Sequence, residues 1–407
     1  MATLVFCGSK GFDRNSTDES DQLIAPHVLR FAGLDEEWSA AFSGPCASHA
    51  VLLNKQGEAF GIGHNESSQL GSLVDSAKPD GGGTQLVPVK MELPGVYKTE
   101  KIIKASCGKA HTLLLTESQH VFACGLHEKG QLGLGKLNGT QLFSPLKRVE
   151  MPEKVVALAA GSEFSAFVGE SGTLYTCGWS VYGQLGHDVA CGQHHTLVLD
   201  ENEKVWSFGF GGYGRLGHKQ PNDEMRPKLI EGFAKPMFKL SMISAGLTCS
   251  YAAQSSNKTL FFWGKAKQGG EVTTYPKPIY DLQQWTIHSI GVSYTSTVIA
   301  ADNSVISFGP SPAFGELGYG AGKSKSSTTP QKMESMDGMM TKQVAVGSAF
   351  TFLVVRNENE ADAASISKLP VHELTNAGAK KSAGTEEAAP KRKAAAKAAP
   401  AKKKGRK

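Results

Sequence analysis

One block of residues recurs along this chain and limits the folds that it can adopt. Each copy starts with a glycine and continues through an apolar run, a polar turn and an aromatic run that ends in glycine. Most copies close with Gly-x-Leu-Gly. Repetition at a fixed period is the signature of a repeat architecture rather than of several unrelated domains. The copies are Gly44–Gly71, Gly108–Gly133, Gly161–Gly186, Gly192–Gly217 and Gly291–Gly318, with partial copies from Gly246 and Gly347.

Each block predicts two strands joined by a turn. The run Val205–Gly209 combines β-branched and aromatic residues and is bounded by glycine, which is typical of a strand. Between most blocks lie further polar segments marked by proline, with room for two outer, more exposed strands. Four strands in a repeat of about 50 residues indicate a blade of a β-propeller.

The two ends of the chain complement each other. The last block stops after Val355 without an aromatic strand, whereas Leu4–Gly8 matches the aromatic run Val121–Gly125. We therefore expect an all-β, seven-bladed propeller that the N-terminal strand closes, which removes the free edges of the ring. The short interval from Gly161 to Gly192 indicates either that one blade is stunted or that an exon is missing from the sequence.

The C-terminal segment differs from the repeats in composition. We place the propeller at residues 1–356 and a Lys-, Ala- and Pro-rich tail at 357–407, which we predict to be disordered because it cannot bury enough apolar surface. The whole chain carries a net charge of +5. A solvated tail without function is one interpretation, and a nuclear import signal or a clamp on DNA or acidic tubulin is another. The polyanion-contacting candidates are Lys391, Arg392, Lys393, Lys397, Lys402, Lys403, Lys404 and Arg406.

Two glycine-rich stretches resemble nucleotide-binding motifs, but the repeat explains both. Gly209, Gly211 and Gly214 form Gly-x-Gly-x-x-Gly, yet the block predicts a turn after them instead of the helix that a dinucleotide site needs. Gly322 precedes Lys-Ser as in a phosphate-binding loop, but Leu317 stands where that loop needs glycine. We predict no cofactor.

The positions of the histidine and tryptophan residues indicate a packing role rather than a catalytic, metal-binding or light-sensing one. His49, His111 and His195 share one repeat position that Phe164 and Phe350 fill elsewhere, so we expect them to pack and hydrogen-bond between strands. His194 and His195 are adjacent in a strand and face opposite sides, so they cannot share a metal ion. We predict no catalytic or metal site. The five tryptophans are interpreted as core residues rather than as a light sensor: Trp38, Trp179, Trp206, Trp263 and Trp285.

The blocks resemble the regulator of chromosome condensation repeat, over about Ser43–Val355 and the N-terminal strand. The stretches Phe208–His218, Asn222–Ile230 and Gly309–Ser327 are similar to the second member of that family, the telophase-disk protein. The resemblance implies a seven-bladed ring that docks small GTPases of the Ran, Ral or Rac type, chromatin or microtubules. It also implies exchange of guanine nucleotides by loop insertion, without an active site in the ring itself.

These observations predict a chromatin- or spindle-associated platform that binds a small GTPase during mitosis and chromosome segregation. We expect a monomer in the nucleus, on chromosomes and the spindle, with some in the cytoplasm. No apolar run reaches the ~18 residues that cross a bilayer, so we expect no membrane insertion. The alternatives are a scaffold for microtubules, kinetochore proteins or chromatin without exchange activity, and a propeller hydrolase or lectin. The GTPase-facing candidates are Asp223, Glu224, Arg226, Lys323 and Lys325.

Overall fold

A computed structural model describes residues 2–15, 18–71, 83–135, 142–179, 188–265, 271–310 and 312–375. Nearly every element in these residues is a strand. The strands are β1 (Ala2–Ser9), β2 (Gln22–Phe31), β3 (Trp38–Phe42), β4 (His49–Asn54), β5 (Ala59–Gly63), β6 (Gln85–Lys90), β7 (Ile102–Cys107), β8 (His111–Thr116), β9 (Val121–Leu126), β10 (Phe143–Val149), β11 (Val155–Ala160), β12 (Phe164–Gly169), β13 (Leu174–Gly178), β14 (Asp188–Cys191), β15 (His195–Leu199), β16 (Val205–Gly209), β17 (Glu224–Leu229), β18 (Met242–Ala245), β19 (Cys249–Gln254), β20 (Thr259–Gly264), β21 (Thr273–Pro278), β22 (Ile287–Val292), β23 (Thr297–Ala301), β24 (Ser304–Gly309), β25 (Ser327–Lys332), β26 (Thr341–Val346), β27 (Phe350–Arg356) and β28 (Val371–Leu374).

Helical elements are short in the described residues. One α-helix, α1, spans Glu360–Ile366. No helix in this part of the chain has the length and apolar content needed to cross a membrane. Single 3₁₀ turns lie at Glu19–Asp21, Gly95–Tyr97, Gly212–Gly214, Glu231–Phe233, Tyr280–Leu282 and Glu334–Met336.

The strands form seven sheets, which are antiparallel except where β28 joins β2. We number these sheets as blades 1 to 7 and give the strands of each blade from the innermost outwards. Blade 1 is β3-β4-β5-β6, blade 2 is β7-β8-β9-β10 and blade 3 is β11-β12-β13. Blades 4, 5 and 6 are β14–β17, β18–β21 and β22–β25, and blade 7 is β26-β27-β1-β2-β28. The predicted seven-bladed propeller is therefore confirmed. Small side chains from the innermost strand of every blade line one central cavity: Ala41, Ala105, Ala159, Ala190, Ala245, Gly291 and Ala345.

The position of one strand in each repeat differs from the prediction. We expected two outer strands between blocks, but only the first of them is outermost. The second, such as β7 between blocks one and two, is the innermost strand of the next blade and lines the cavity. Seven innermost strands converge at the axis, so the residues that face the cavity must be small. Because small residues are less apolar than large ones, the sequence of an innermost strand resembles that of an exposed segment.

The N-terminal strand closes the ring as predicted. β1 lies between β27 and β2, with Phe6 opposite Phe352 and Val5 opposite Leu353. The rings of Phe6 and Phe352 have centroids 5.0 Å apart, and Phe12 packs against Phe350 at 4.9 Å. The last blade is thus built from both ends of the chain.

The predicted boundary at residue 356 is too early. After β27 the chain forms α1, which the Asn359 side chain caps by accepting from the Asp362 N–H. It then adds β28 beside β2 in parallel, with Leu29 opposite His372. Ile366 and Leu374 are buried, and this burial holds the segment on the ring. The folded part therefore extends to residue 375, and residues 376–407 lie outside the described structure.

Blade 3 is the stunted blade that the spacing predicted. Its described strands number three, and the chain passes from Gly178 at the end of β13 to Asp188 at the start of β14. In blade 4 the equivalent interval, from Gly209 to Met242, holds the outer strand and its connections. The aromatic strand β13 consequently has one buried residue, Leu174, whereas its counterparts are largely buried.

Candidate protein-docking face

The antiparallel order of each blade gives the ring two faces. Connections from the first to the second strand, and from the third to the fourth, emerge at the same end of the blade. This end carries the Gly-x-Leu-Gly turns, and we call it the Gly-turn face. The other end carries the tight turns between the second and third strands, such as 200–204 and 255–258, and we call it the short-turn face.

Buried hydrogen bonds beneath the Gly-turn face join one blade to the next. His49 Nε2 lies 2.8 Å from Thr112 Oγ1, and the Thr112 hydroxyl donates to the Gln69 carbonyl oxygen at 2.7 Å. A hydroxyl has only one proton, so the His49 Nε2–H must be the donor to Thr112. We call this chain of hydrogen bonds, from histidine to hydroxyl to backbone carbonyl, a histidine relay. It recurs from His111 through Ser165 to the Gln131 carbonyl, and from His195 through Ser250 to the Arg215 carbonyl.

These histidines are neutral structural groups. Burial lowers the pKa of His49 to about 3 and of His111 to about 4, and burial also holds the pKa of His195 well below its usual value. A charged imidazole would cost desolvation free energy in these sites. The predicted packing role of the three histidines is confirmed.

The second residue of Gly-x-Leu-Gly changes its role in blade 4. The Gln69 and Gln131 side-chain oxygens accept backbone N–H groups of their own turns, from Ser67 and Lys129. In blade 4 the residue is Arg215, which has no acceptor atom. Its guanidinium donates to the Gly212 and Leu247 carbonyls instead.

Arg215 supports aromatic side chains above it. It is only 2% exposed, and its guanidinium carbon lies 4.9 Å from the ring centroid of Phe210 and 5.5 Å from that of Tyr213. Burial lowers the pKa of Arg215 to about 10, so the group stays charged at neutral pH. Cation–π contacts of this kind hold both rings in place while their outer surfaces remain in solvent.

Three exposed aromatic side chains and their polar neighbours form a continuous patch across blades 3 to 5. The Trp179 ring lies 6.2 Å from His194, and the His194 ring lies 6.5 Å from Phe210. At the other end, Lys265 Nζ lies 5.0 Å from the Tyr213 ring. Trp179 is 59% exposed, Phe210 43% and Tyr213 47%. We call Trp179, His194, Phe210, Tyr213, Arg215 and Lys265 the aromatic patch.

Sequence reasoning missed this patch. Trp179 was grouped with the core tryptophans, of which Trp38 and Trp263 are indeed buried, but it follows the glycine that ends β13 and points to solvent. Its place after that glycine, shared with Phe210 after β16, is the signal that could have revealed it. The Gly-x-Gly-x-x-Gly stretch is a turn as expected, with Tyr213 at a positive φ of 64°.

The predicted GTPase-facing residues lie on two separate blades. The Asp223 carboxylate accepts from the Gly211 N–H at 2.8 Å, and Glu224 pairs with Lys228 in the outer strand of blade 4, where Arg226 is exposed. In blade 6, Lys323 pairs with Glu334 and Lys325 with Glu19. Blade 5 separates the two groups, so the fold does not bring them together. Their contact with a GTPase stays a prediction.

The basic candidates of the tail fall outside the described residues. They are Lys391, Arg392, Lys393, Lys397, Lys402, Lys403, Lys404 and Arg406.

The fold and the site together place this chain among the β-propellers built from a glycine-rich repeat, in which buried histidines join neighbouring blades. The regulator of chromosome condensation (RCC1) repeat matches residues 56–115, 119–168 and 202–253, and a second description of the same repeat matches 102–131, 155–184 and 187–215. The chain belongs to this family.

Curated relatives extend the match to most of the chain. It is 40% identical over 374 residues to Protein RCC2 of Homo sapiens, which covers 81% of this chain and 69% of the relative. It is 37% identical over 394 residues to the Protein RCC2 homolog of Danio rerio, with 86% and 77% covered. The predicted similarity to the second family member is confirmed. The structure of Prp20p from Saccharomyces cerevisiae shares the fold, with a TM-score of 0.71 at 16% identity over 90% of this chain and 94% of that chain.

Proposed function

We propose that this protein is a chromatin- or spindle-associated platform that docks a small GTPase on its Gly-turn face. The observation that carries the proposal is the aromatic patch. Interface hot spots are enriched in Trp, Tyr and Arg, and they work best where the side chains are held rigid before binding. The relays and the buried Arg215 provide that rigidity here.

The relatives favour this class of partner. Prp20p was characterised for its binding to Gsp1p and histones. The family resemblance links such rings to nucleotide exchange on Ran-type GTPases, and exchange would proceed by stabilising the nucleotide-free GTPase rather than by covalent chemistry. We further propose that the basic tail holds the protein on DNA or microtubules through phosphate or carboxylate contacts, which are indifferent to sequence.

A scaffold without exchange activity is the second candidate. The short passage from Gly178 to Asp188 favours it, because little chain is available in blade 3 for a loop that could enter a nucleotide site.

Release of a fluorescent GDP analogue from Ran-, Ral- and Rac-type GTPases tests the proposal. Acceleration by the full chain supports exchange, whereas binding without acceleration supports the scaffold. Trp179→Ala combined with Phe210→Ala should weaken binding by at least 2 kcal/mol, about 30-fold. Met237→Ala is the matched control, since Met237 is an exposed apolar residue in the connection at the short-turn face. Equal loss in both variants, or binding to none of the three GTPases, would reject the proposal.

A further inference from the structure

The outer strands β6, β10, β17, β21 and β25 share a proline that a lysine follows within two residues. Each of these strands lies at the edge of its sheet. Proline lacks the N–H that would pair with a further strand, and lysine discourages edge-to-edge pairing, so both residues have a structural reason to be there. The residue before the proline is not fixed in the same way, because its type changes from blade to blade: Val87, Ser144, Arg226, Tyr275 and Thr329.

In two of these strands the residue before the proline carries a hydroxyl group and the lysine stands at the third position after it. The segments are Ser144–Lys147 in β10 and Thr329–Lys332 in β25. The remaining Ser-Pro pair of the chain, at 311–312, has Phe314 at that position. A hydroxyl residue before proline, with a basic residue at the third position, is the pattern that one class of protein kinase selects through shape and charge. The sequence alone therefore offers two equivalent segments for phosphorylation.

The structure removes the first segment from reach. Ser144 pairs with Gly125 and Lys147 pairs with Ala123, so the bulge in β10 holds only two residues and Ser144 stays in the ladder with β9. The Ser144 residue is 1% exposed, and its hydroxyl donates to the Pro145 carbonyl oxygen at 3.0 Å. A kinase cannot reach this hydroxyl while blade 2 is folded.

The bulge in β25 is one residue longer, and it carries Thr329 out of the ladder. Residues 328–330 form this bulge, between the pairs that Ser327 and Gln331 make with β24. Thr329 is exposed. Its backbone N–H donates to Ser327 Oγ at 3.3 Å, and its carbonyl oxygen accepts from the same hydroxyl at 2.7 Å. The hydroxyl of Thr329 is therefore presented on an extended segment at the rim of the ring.

Lys332 is accessible as well. Its Nζ lies 3.2 Å from Asp337 Oδ1 and 5.2 Å from the centroid of the Trp285 ring. The Lys332 side chain is 45% exposed and that of Asp337 is 54% exposed. An ion pair between exposed side chains contributes at most about 1 kcal/mol, so an acidic subsite of a kinase can take the place of Asp337.

We propose that Thr329 is a phosphorylation site for a protein kinase that requires proline after the acceptor and recognises Lys332 at the third position. Thr329 Oγ1 attacks the γ-phosphorus of kinase-bound ATP, the bond to the bridging oxygen breaks and ADP leaves, and a catalytic aspartate of the kinase accepts the hydroxyl proton. The outermost strand suits this step, because it is held on one side only and opens locally at a low free-energy cost.

Phosphorylation reverses the charge of this part of the rim. Residues 319–340 carry three lysines and two carboxylates, so their net charge is positive. A phosphate adds about −1.5 to −2 at neutral pH, which makes the net charge negative. The modification therefore acts on any partner that this edge of blade 6 attracts through charge.

A cyclin-dependent kinase with ATP is the probe, because this class requires the proline and favours the basic residue. Synthetic peptides of residues 142–152 and 326–336 show whether the kinase accepts each sequence when neither is folded, and both should be phosphorylated. In the folded full chain, site mapping by mass spectrometry should find phosphate on Thr329. Ser144 should carry at least about tenfold less, because its modification requires blade 2 to open.

Substitutions in β25 test the two recognition elements. Thr329→Ala should remove the modification, and Thr329→Ser should retain it. Lys332→Ala should lower the initial rate about tenfold, through loss of one charge-assisted contact with the kinase, whereas Lys332→Arg should keep the rate. Thermal unfolding of each variant should match that of the natural chain, since both side chains are exposed.

Four results would overturn the proposal. The first is an absence of phosphate on Thr329 in the folded chain, including the case in which Thr329 is modified only after unfolding. The second is an equal amount of phosphate on Ser144 and Thr329, since the fold would then select neither. The third is failure of the 326–336 peptide as a substrate. The fourth is a rate that Lys332→Ala leaves unchanged.

Discussion

The histidine relay makes the stability of the ring depend on pH, and His111 gives the clearest test. Its pKa is about 4 in the folded ring and 6.5 in the unfolded chain, because burial disfavours the charged form. The unfolded chain therefore takes up the proton first. The stability from neutral His111 is complete above about pH 6.5 and is lost as the pH falls towards 4. At about pH 5 the 1.5-unit gap corresponds to about 2 kcal/mol.

His111→Phe removes this sensitivity. The repeat position accepts a phenyl ring, since Phe164 and Phe350 occupy it in blades 3 and 7. At about pH 7.5 the variant should be less stable than the natural chain by about 1 kcal/mol, because the 3.1 Å contact with Ser165 is lost. At about pH 5 the order should reverse, since only the natural chain has lost the contribution of about 2 kcal/mol from this site.

Urea unfolding at both pH values measures the difference. The reasoning is refuted if the variant and the natural chain lose the same stability between the two pH values. It is equally refuted if the variant is the more acid-sensitive of the two.

Three further perturbations have defined outcomes. Deleting residues 1–12 should lower the melting temperature sharply, because β1 is an internal strand of blade 7. An unchanged melting temperature would mean that the ring closes by another route. Gly108→Ala should lower the free energy of unfolding by at least 2 kcal/mol, because the new Cβ would lie 2.1 Å from the His111 ring. Gly83→Ala is the control: its Cβ meets nothing within 4 Å, so its thermal unfolding should match that of the natural chain. Truncation after residue 375 should abolish DNA binding. For the full chain, the logarithm of the binding constant plotted against the logarithm of the salt concentration should have a slope of about −0.9 per phosphate contact. Full DNA affinity without the tail would place the contacts on the ring.

The repeat determined how much of the fold could be predicted. Glycine spacing and the match between Leu4–Gly8 and Val121–Gly125 were enough to place seven blades and the closing strand, because packing around an axis imposes the same demands on every copy. Features that occur once were not accessible in this way. β28 has no counterpart in other blades, and its four residues carry too little pattern to indicate a strand.

The candidate site was less predictable than the fold. The packing role of His49, His111 and His195 could be inferred because Phe replaces His at the same position, whereas the relays to the next blade could not. The aromatic patch depends on Arg215, whose side chain is held beneath Phe210 and Tyr213 by contacts from both blade 4 and blade 5. Surface side chains are free of the packing constraints that the repeat imposes, so their arrangement cannot be read from periodicity.

Hydrogen–deuterium exchange of the full chain, with and without the GTPase that it binds, tests the central claim most directly. A partner docked on the aromatic patch should slow exchange at 192–194 and 210–215 and leave the turns 200–204 and 255–258 unchanged. Protection confined to those two turns, on the short-turn face, would contradict the account.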